Sequence, residues 1–214
     1  MKTPWHMAIA IVGTVILGGA LLAAQQTRKV SDEFRRQFIK DFKRIGLNTT
    51  VGDAALLRIL VESGRCKRGV EVGSATGFGA INMGIAFERN GGQLITLDID
   101  PAMIKTTREN VAAMGLEKTV TAIEGDALKT LAELKGEFDF VFIDALKPDY
   151  LKYLKLIEPK LKAGAVVVAD NVIRSERQMK DYLEYVQTSP NYDTTIVRAS
   201  VEKNDGMAIS YKLK

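Results

Sequence analysis

Two short segments carry the residues best suited to chemistry. Phe142-Ile143-Asp144-Ala145-Leu146-Lys147 sets a carboxylate at the end of an apolar run with an amine three residues on, and Val167-Val168-Ala169-Asp170-Asn171 sets a carboxylate and an amide at the end of another. Asp144, Asp170 and Asn171 are hard oxygen donors, a set that suits Mg²⁺, with Ca²⁺ or Mn²⁺ as alternatives, rather than zinc or copper. The same residue types also form helix caps and turns, and spacing alone leaves both readings open. Composition narrows the field. With a single cysteine, Cys66, no intrachain disulfide forms, and with a single histidine, His6, a Ser-His-Asp triad or a His-rich zinc site is not expected in the body of the chain. Chemistry must then run on carboxylates, lysines, amides, hydroxyls and backbone. The net charge of +4 is too slight to point to nucleic acid, and no nucleic-acid partner is expected.

A third segment, Glu71-Val72-Gly73-Ser74-Ala75-Thr76-Gly77-Phe78-Gly79, reads as a strand end running through a glycine-rich turn into a helix. Gly73 and Gly77 permit a tight turn and close approach of a ligand, and a helix N-terminus supplies unpaired N–H groups. The spacing G-x-x-x-G-x-G is neither a P-loop nor G-x-G-x-x-G. Asp98, at the end of the next apolar run, is placed to take both hydroxyls of a ribose, while Asp100 suits the N-cap of a helix starting at Pro101. Gly125, Asp126 and Ala127 offer a turn and an acid that could edge an adenine, or an ordinary helix cap.

These segments need a scaffold that gathers strand ends. From Arg68 onward, β-branched runs alternate with helical stretches. Strands are expected at Gly69-Val72, Gln93-Asp98, Val120-Glu124, Phe138-Ile143 and Ala165-Ala169, with helices beginning near Gly77, Pro101, Ala127, Pro148 and Ser175. Two further strands, Asp193-Arg198 and Met207-Lys212, close the chain as a hairpin-like pair. This pattern predicts an α/β, Rossmann-like doubly wound fold, a mostly parallel seven-stranded sheet with an antiparallel last strand and ligands at the carboxyl ends of the strands. Ahead of it, Ser31 to Ile45 reads as a helix with Ser31 as N-cap and Phe34, Phe38, Phe42 and Ile45 on one face.

Met7 to Ala24 is uncharged and polar only at Thr14, long enough for a transmembrane helix, with a signal peptide as the alternative. Lys2 precedes it, whereas Arg28, Lys29, Arg35, Arg36, Lys40, Lys43 and Arg44 follow. The excess of cations after the span predicts a single-pass membrane protein with its large domain in the cytoplasm. The expected division is an anchor over 1–29 and one domain over 30–214.

From about Asn48 to Lys212 the chain resembles the class I S-adenosylmethionine-dependent methyltransferases, specifically the metal-dependent O-methyltransferases that include catechol and caffeoyl-CoA O-methyltransferases. Asp144 to Tyr150 (DALKPDY) and Ala169 to Val172 (ADNV) carry most of the likeness. The resemblance implies cofactor contacts from backbone near Val51, from Glu71, Gly73 and Gly77, from Asp98 at the ribose, from Gly125, Asp126 and Ala127 at the adenine, and from Asp144. It implies metal ligation by Asp144, Asp170 and Asn171, Lys147 as general base, and a small phenolic substrate with two adjacent oxygens. It leaves homodimer and monomer open. The chain departs from catechol O-methyltransferases at Ala75, Gly79, Leu146 and Ala199, positions that bear on acceptor choice more than on cofactor binding. Two rivals remain. A nicotinamide-dependent oxidoreductase is disfavoured by the glycine spacing and by the lack of a Tyr-x-x-x-Lys pair; the other is a tethered S-adenosylmethionine-binding domain without turnover.

Overall fold

The computed structural model describes residues 30–214. Strands β1 (Arg68–Val72), β2 (Gln93–Asp98), β3 (Val120–Glu124), β4 (Phe138–Ile143), β5 (Leu161–Ala169), β6 (Tyr192–Val197) and β7 (Met207–Lys212) form one sheet among the described residues, in the order β3-β2-β1-β4-β5-β7-β6. β1 to β5 pair in parallel, and β7 alone runs against both its neighbours. The order turns back between β1 and β4, the place where an open sheet of this kind leaves a crevice.

Why the strands were readable follows from their burial. Val141 and Ile143 enter one hydrophobic core while Phe140 and Phe142, alternating with them in sequence, enter the other. A strand stretch covered on both faces, here Phe140 to Ile143, reads as a continuous apolar run. Helices α2 (Val51–Ser63), α3 (Phe78–Asn90) and α4 (Pro101–Ala113) cover one face of the sheet. Helices α5 (Ala127–Glu133), α6 (Tyr150–Ile157) and α7 (Lys180–Thr188) cover the other. Cys66 is buried against the α2–α3 side, and burial pushes its thiol up to about 12.

Several boundaries differ from expectation, each for a local reason. α1 (Asp32–Asp41) has Ser31 as its N-cap, accepting from the Phe34 N–H at 3.2 Å, but ends before Ile45 because Phe42 turns out of helical conformation. α2 was not anticipated, although Ala54, Leu57 and Val61 bury one helical face and Thr50 caps it. The helix expected near Pro148 is a 3₁₀ turn, Lys147–Asp149, leading into α6, and the one expected near Ser175 becomes α-helical only at Lys180. β5 begins at Leu161, four residues early, because Gly164 at φ +86° lets the strand bend ahead of its buried half.

Arg35, counted from sequence among the cations that follow the apolar stretch, is buried. Its guanidinium grips Glu88 of α3 through two bonds and donates to the Met114 carbonyl oxygen at 3.0 Å, pinning α1 to the domain. Among the described residues no helix is long and apolar enough to cross a membrane. The expected span, Met7 to Ala24, lies outside the described residues.

Candidate active site

The glycine-rich turn after β1 is shaped by what lies beneath it. Gly73 has φ +95°, its N–H donates to the Leu97 carbonyl oxygen at 2.8 Å, and a Cβ there would come closer than 3.0 Å to the Asp144 carbonyl. Asp98 closes the turn from the β2 side: Oδ2 accepts from the Ser74 and Ala75 N–H groups at 3.1 and 2.9 Å, and Oδ1 from the Asp100 N–H at 3.0 Å. Asp100 caps α4, accepting from the Ala102 N–H at 2.7 Å, as the sequence suggested. Asp126 caps α5 through the Leu128 N–H at 2.9 Å, and with Gly125 and Ala127 it also stands in the wall of a cleft.

That cleft, of about 660 Å³, lies over the carboxyl ends of β1, β2 and β4. Gly73, Asp98, Gly125, Asp126, Ala127, Asp144, Lys147 and Asn171 all reach its wall. Three expected cofactor residues do not. Val51 is the exposed first residue of α2, and Gly77, at φ +87°, begins α3 against Thr107. Glu71 lies buried below the turn, where Thr96 donates to it.

Burial pushes the Glu71 carboxyl up to about 8; the Thr96 bond works against this, and the charges of Asp144 and Asp98 add to it. The folded protein therefore keeps a proton that the unfolded chain releases near 4.5, so the contribution of Glu71 to stability is largest in acid, falls as pH rises between the two values, and levels off above about 8. Glu71→Gln cannot ionise and removes this slope, on the order of a few kcal/mol over the interval. Urea midpoints of the wild type should drop more than those of Glu71→Gln from about pH 5 to about pH 8. Parallel profiles would show that Glu71 ionises freely.

At the ends of β4 and β5 the acids converge. The Asp144 N–H donates to the Val72 carbonyl and the Asp170 N–H to the Ile143 carbonyl, at 2.8 and 3.0 Å, which sets both carboxylates at one level of the sheet. Asn171 adopts φ +61°, one of the few left-handed non-glycine residues, and lines the cleft beside them. Lys147 Nζ donates to Asp144 Oδ1 at 2.9 Å and to the Tyr150 hydroxyl oxygen at 2.8 Å. Asp170 is fully buried: Oδ1 accepts from the Asn171 N–H at 2.7 Å, and Oδ2 has no hydrogen-bond partner among the described residues. Burial, with Asp144 and Asp53 close by, raises its pKa well above the carboxylate range.

Asp53 was missed as a site residue. It sits in the first turn of α2, where an acid is unremarkable, and it is the fold that buries it near Asp170. Its Oδ2 accepts from the hydroxyls of Thr50 and Ser200, tying α2 to the loop before β7, and Oδ1 lacks a partner among the described residues. A buried carboxylate oxygen without a donor is costly, and Asp170 Oδ2 and Asp53 Oδ1 are two such atoms.

A family model for O-methyltransferases matches residues 23–208. The chain belongs to the O-methyltransferase family. It is a class I S-adenosylmethionine-dependent O-methyltransferase, as its strand ends suggested. Among its relatives, a catechol O-methyltransferase of Mycobacterium tuberculosis is 30% identical over 183 residues, covering 79% of this chain and 82% of that one. A catechol O-methyltransferase of Niastella koreensis is 29% identical over 181 residues, covering 77% and 81%. Of solved structures, cofactor-bound Rv0187 from MTB matches with a TM-score of 0.74 and 26% identity over 83% of this chain and 87% of that one. The O-methyltransferase TomG from Streptomyces achromogenes, at 23% identity, shares the fold with a TM-score of 0.75 over 87% and 92%.

Proposed function

We propose that this O-methyltransferase moves the methyl group of S-adenosylmethionine to a hydroxyl of a catechol-like phenol, with a divalent cation at Asp144, Asp170 and Asn171 and with Lys147 as base. The observation that carries the reading is the buried, unpartnered Oδ2 of Asp170 beside Asp144 and Asn171. An all-oxygen donor set of two carboxylates and an amide fits a hard cation, Mg²⁺ before Ca²⁺ or Mn²⁺. When bound, such a cation supplies charge that lowers the pKa of an acceptor hydroxyl.

The chain's own groups account for the remainder. Asp98 and Asp126 stand at the end of the cleft that suits a nucleoside, and the glycine turn brings backbone close to a ligand without side chains in the way. Placing donor and acceptor in one cleft supplies the proximity on which transfer between two bound reactants depends. Lys147 stands in the cleft wall with Nζ held by Asp144 and Tyr150, where its amine form would take the proton of the acceptor hydroxyl. Tyr150 is fully buried and its phenol is raised well above its ordinary value, first by burial, so it keeps its proton and donates to the Asp170 carbonyl oxygen at 3.3 Å.

The test is methyl transfer from labelled S-adenosylmethionine to catechol, hydroxycinnamoyl and quinol acceptors. EDTA should abolish the reaction and Mg²⁺ restore it. Transfer that persists in the chelator would remove the cation from the proposal, and no transfer to any diol would remove the acceptor class.

A further inference from the structure

The cleft continues past Asn171. A second hollow of about 460 Å³ opens there and shares Gly46, Asn171 and Lys203 with the first. Arg174, Gln178 and Asp205 complete most of its wall. Its two cations are held by neutral groups. Lys203 Nζ donates to the Asn48 carbonyl oxygen at 2.9 Å, and Arg174 Nη1 to the Lys203 carbonyl oxygen at 3.4 Å. Among the described residues neither has a carboxylate within 4.0 Å.

Of the acids nearby, Asp205 lines the hollow itself, so two cations stand there against one carboxylate. Asp205 is buried, and its Oδ1 accepts from the N–H groups of Ile173, Arg174 and Gly206 at 3.1, 3.1 and 2.9 Å, holding the loop after β5. Glu202 forms a two-bond ion pair with Arg44. An ammonium and a guanidinium with donors to spare thus face a hollow that opens directly beside Asn171. Leu47 and Leu146, 69% and 62% exposed, border the neighbouring part of the cleft and offer apolar surface to a ring.

Resting on the catechol-like reading above, we propose that the acceptor is an aromatic diol that bears a carboxylate: its ring oxygens lie by Asn171 and its anionic group enters the hollow between Arg174 and Lys203. A guanidinium matches a carboxylate in shape as well as charge, and charge-assisted bonds are the stronger kind. The same two cations repel an aromatic diol that carries an amine.

The test compares kcat/KM of the full chain, with Mg²⁺ present, for 3,4-dihydroxybenzoate, catechol and dopamine. The acid should lead and the amine trail. In Arg174→Gln the ratio of acid to catechol should fall about tenfold, equivalent to about 1.4 kcal/mol, through KM rather than kcat, and Arg174→Lys should recover part of it. Equal treatment of the three acceptors, or a ratio unchanged in Arg174→Gln, overturns the proposal while leaving catechol methylation in place. If none of the three is methylated, the acceptor reading above fails. Calorimetric titration of 3,4-dihydroxybenzoate and catechol, with Mg²⁺ and S-adenosylhomocysteine, then decides the subsite: tighter acid binding that Arg174→Gln weakens supports it, and equal binding overturns it.

Discussion

Asp170→Asn should lose methyl transfer by about 100-fold or more while the protein becomes harder to unfold. The two effects share one cause. Asp170 is fully buried with Oδ2 unpartnered and with Asp144 and Asp53 as like-charged neighbours, an arrangement that costs the cation-free fold stability. The amide needs no proton taken up on folding near neutral pH, as the raised Asp170 carboxyl does, and brings a donor among carboxylates, a gain of about 1–3 kcal/mol. The same change deletes a charged ligand from the proposed cation site. The measurements are a thermal melt in EDTA, a calorimetric Mg²⁺ titration and the turnover assay. A lower melting temperature with intact Mg²⁺ affinity would mean that Asp170 is a structural residue and that the cation lies elsewhere.

Gly73→Ala should be the most damaging single-methyl change in the domain. The position combines φ +95° with backbone opposite: the Asp144 carbonyl oxygen and carbon would both lie closer than 3.0 Å to the new Cβ. Backbone cannot swing aside as a side chain can, and Asp144 is held by its own N–H bond to Val72. Left-handed strain and overpacking together amount to about 3 kcal/mol or more. Soluble yield, the urea midpoint and S-adenosylhomocysteine affinity should all fall. Gly46→Ala serves as the comparison, since a Cβ there meets nothing within 4 Å. Equal behaviour of the two variants would show that the turn after β1 yields more easily than its packing implies.

What could be read from sequence follows from how local each feature is. Short β-branched and aromatic runs bounded by turn residues announce the strands, and three of the five expected parallel strands have the observed limits residue for residue. Asp100 was separable from Asp98 because an N-cap depends on neighbours two residues away. Asp53 was not, since its burial depends on Ser200, 147 positions later in the chain. The burial of Arg35 was hidden for the same reason: its partners Glu88 and Met114 belong to other helices. Lys203 and Arg174 drew no attention because an exposed cation in a loop is ordinary, and only the fold brings them to one hollow.

The clamp made by Arg35 has a practical side. It holds the start of α1 beside Val30, Glu88 and Gly115, where α3 and α4 finish, at the foot of the sheet, and Phe42 reaches Phe78 at the head of α3. Anything coupled ahead of Val30, whether a bead, a surface or a fusion partner, therefore grasps the protein as a hand grasps the stem of a goblet, with the bowl facing away. Reactants would arrive from the open side without passing the support, so attachment at Val30 leaves the catalytic mouth unobstructed.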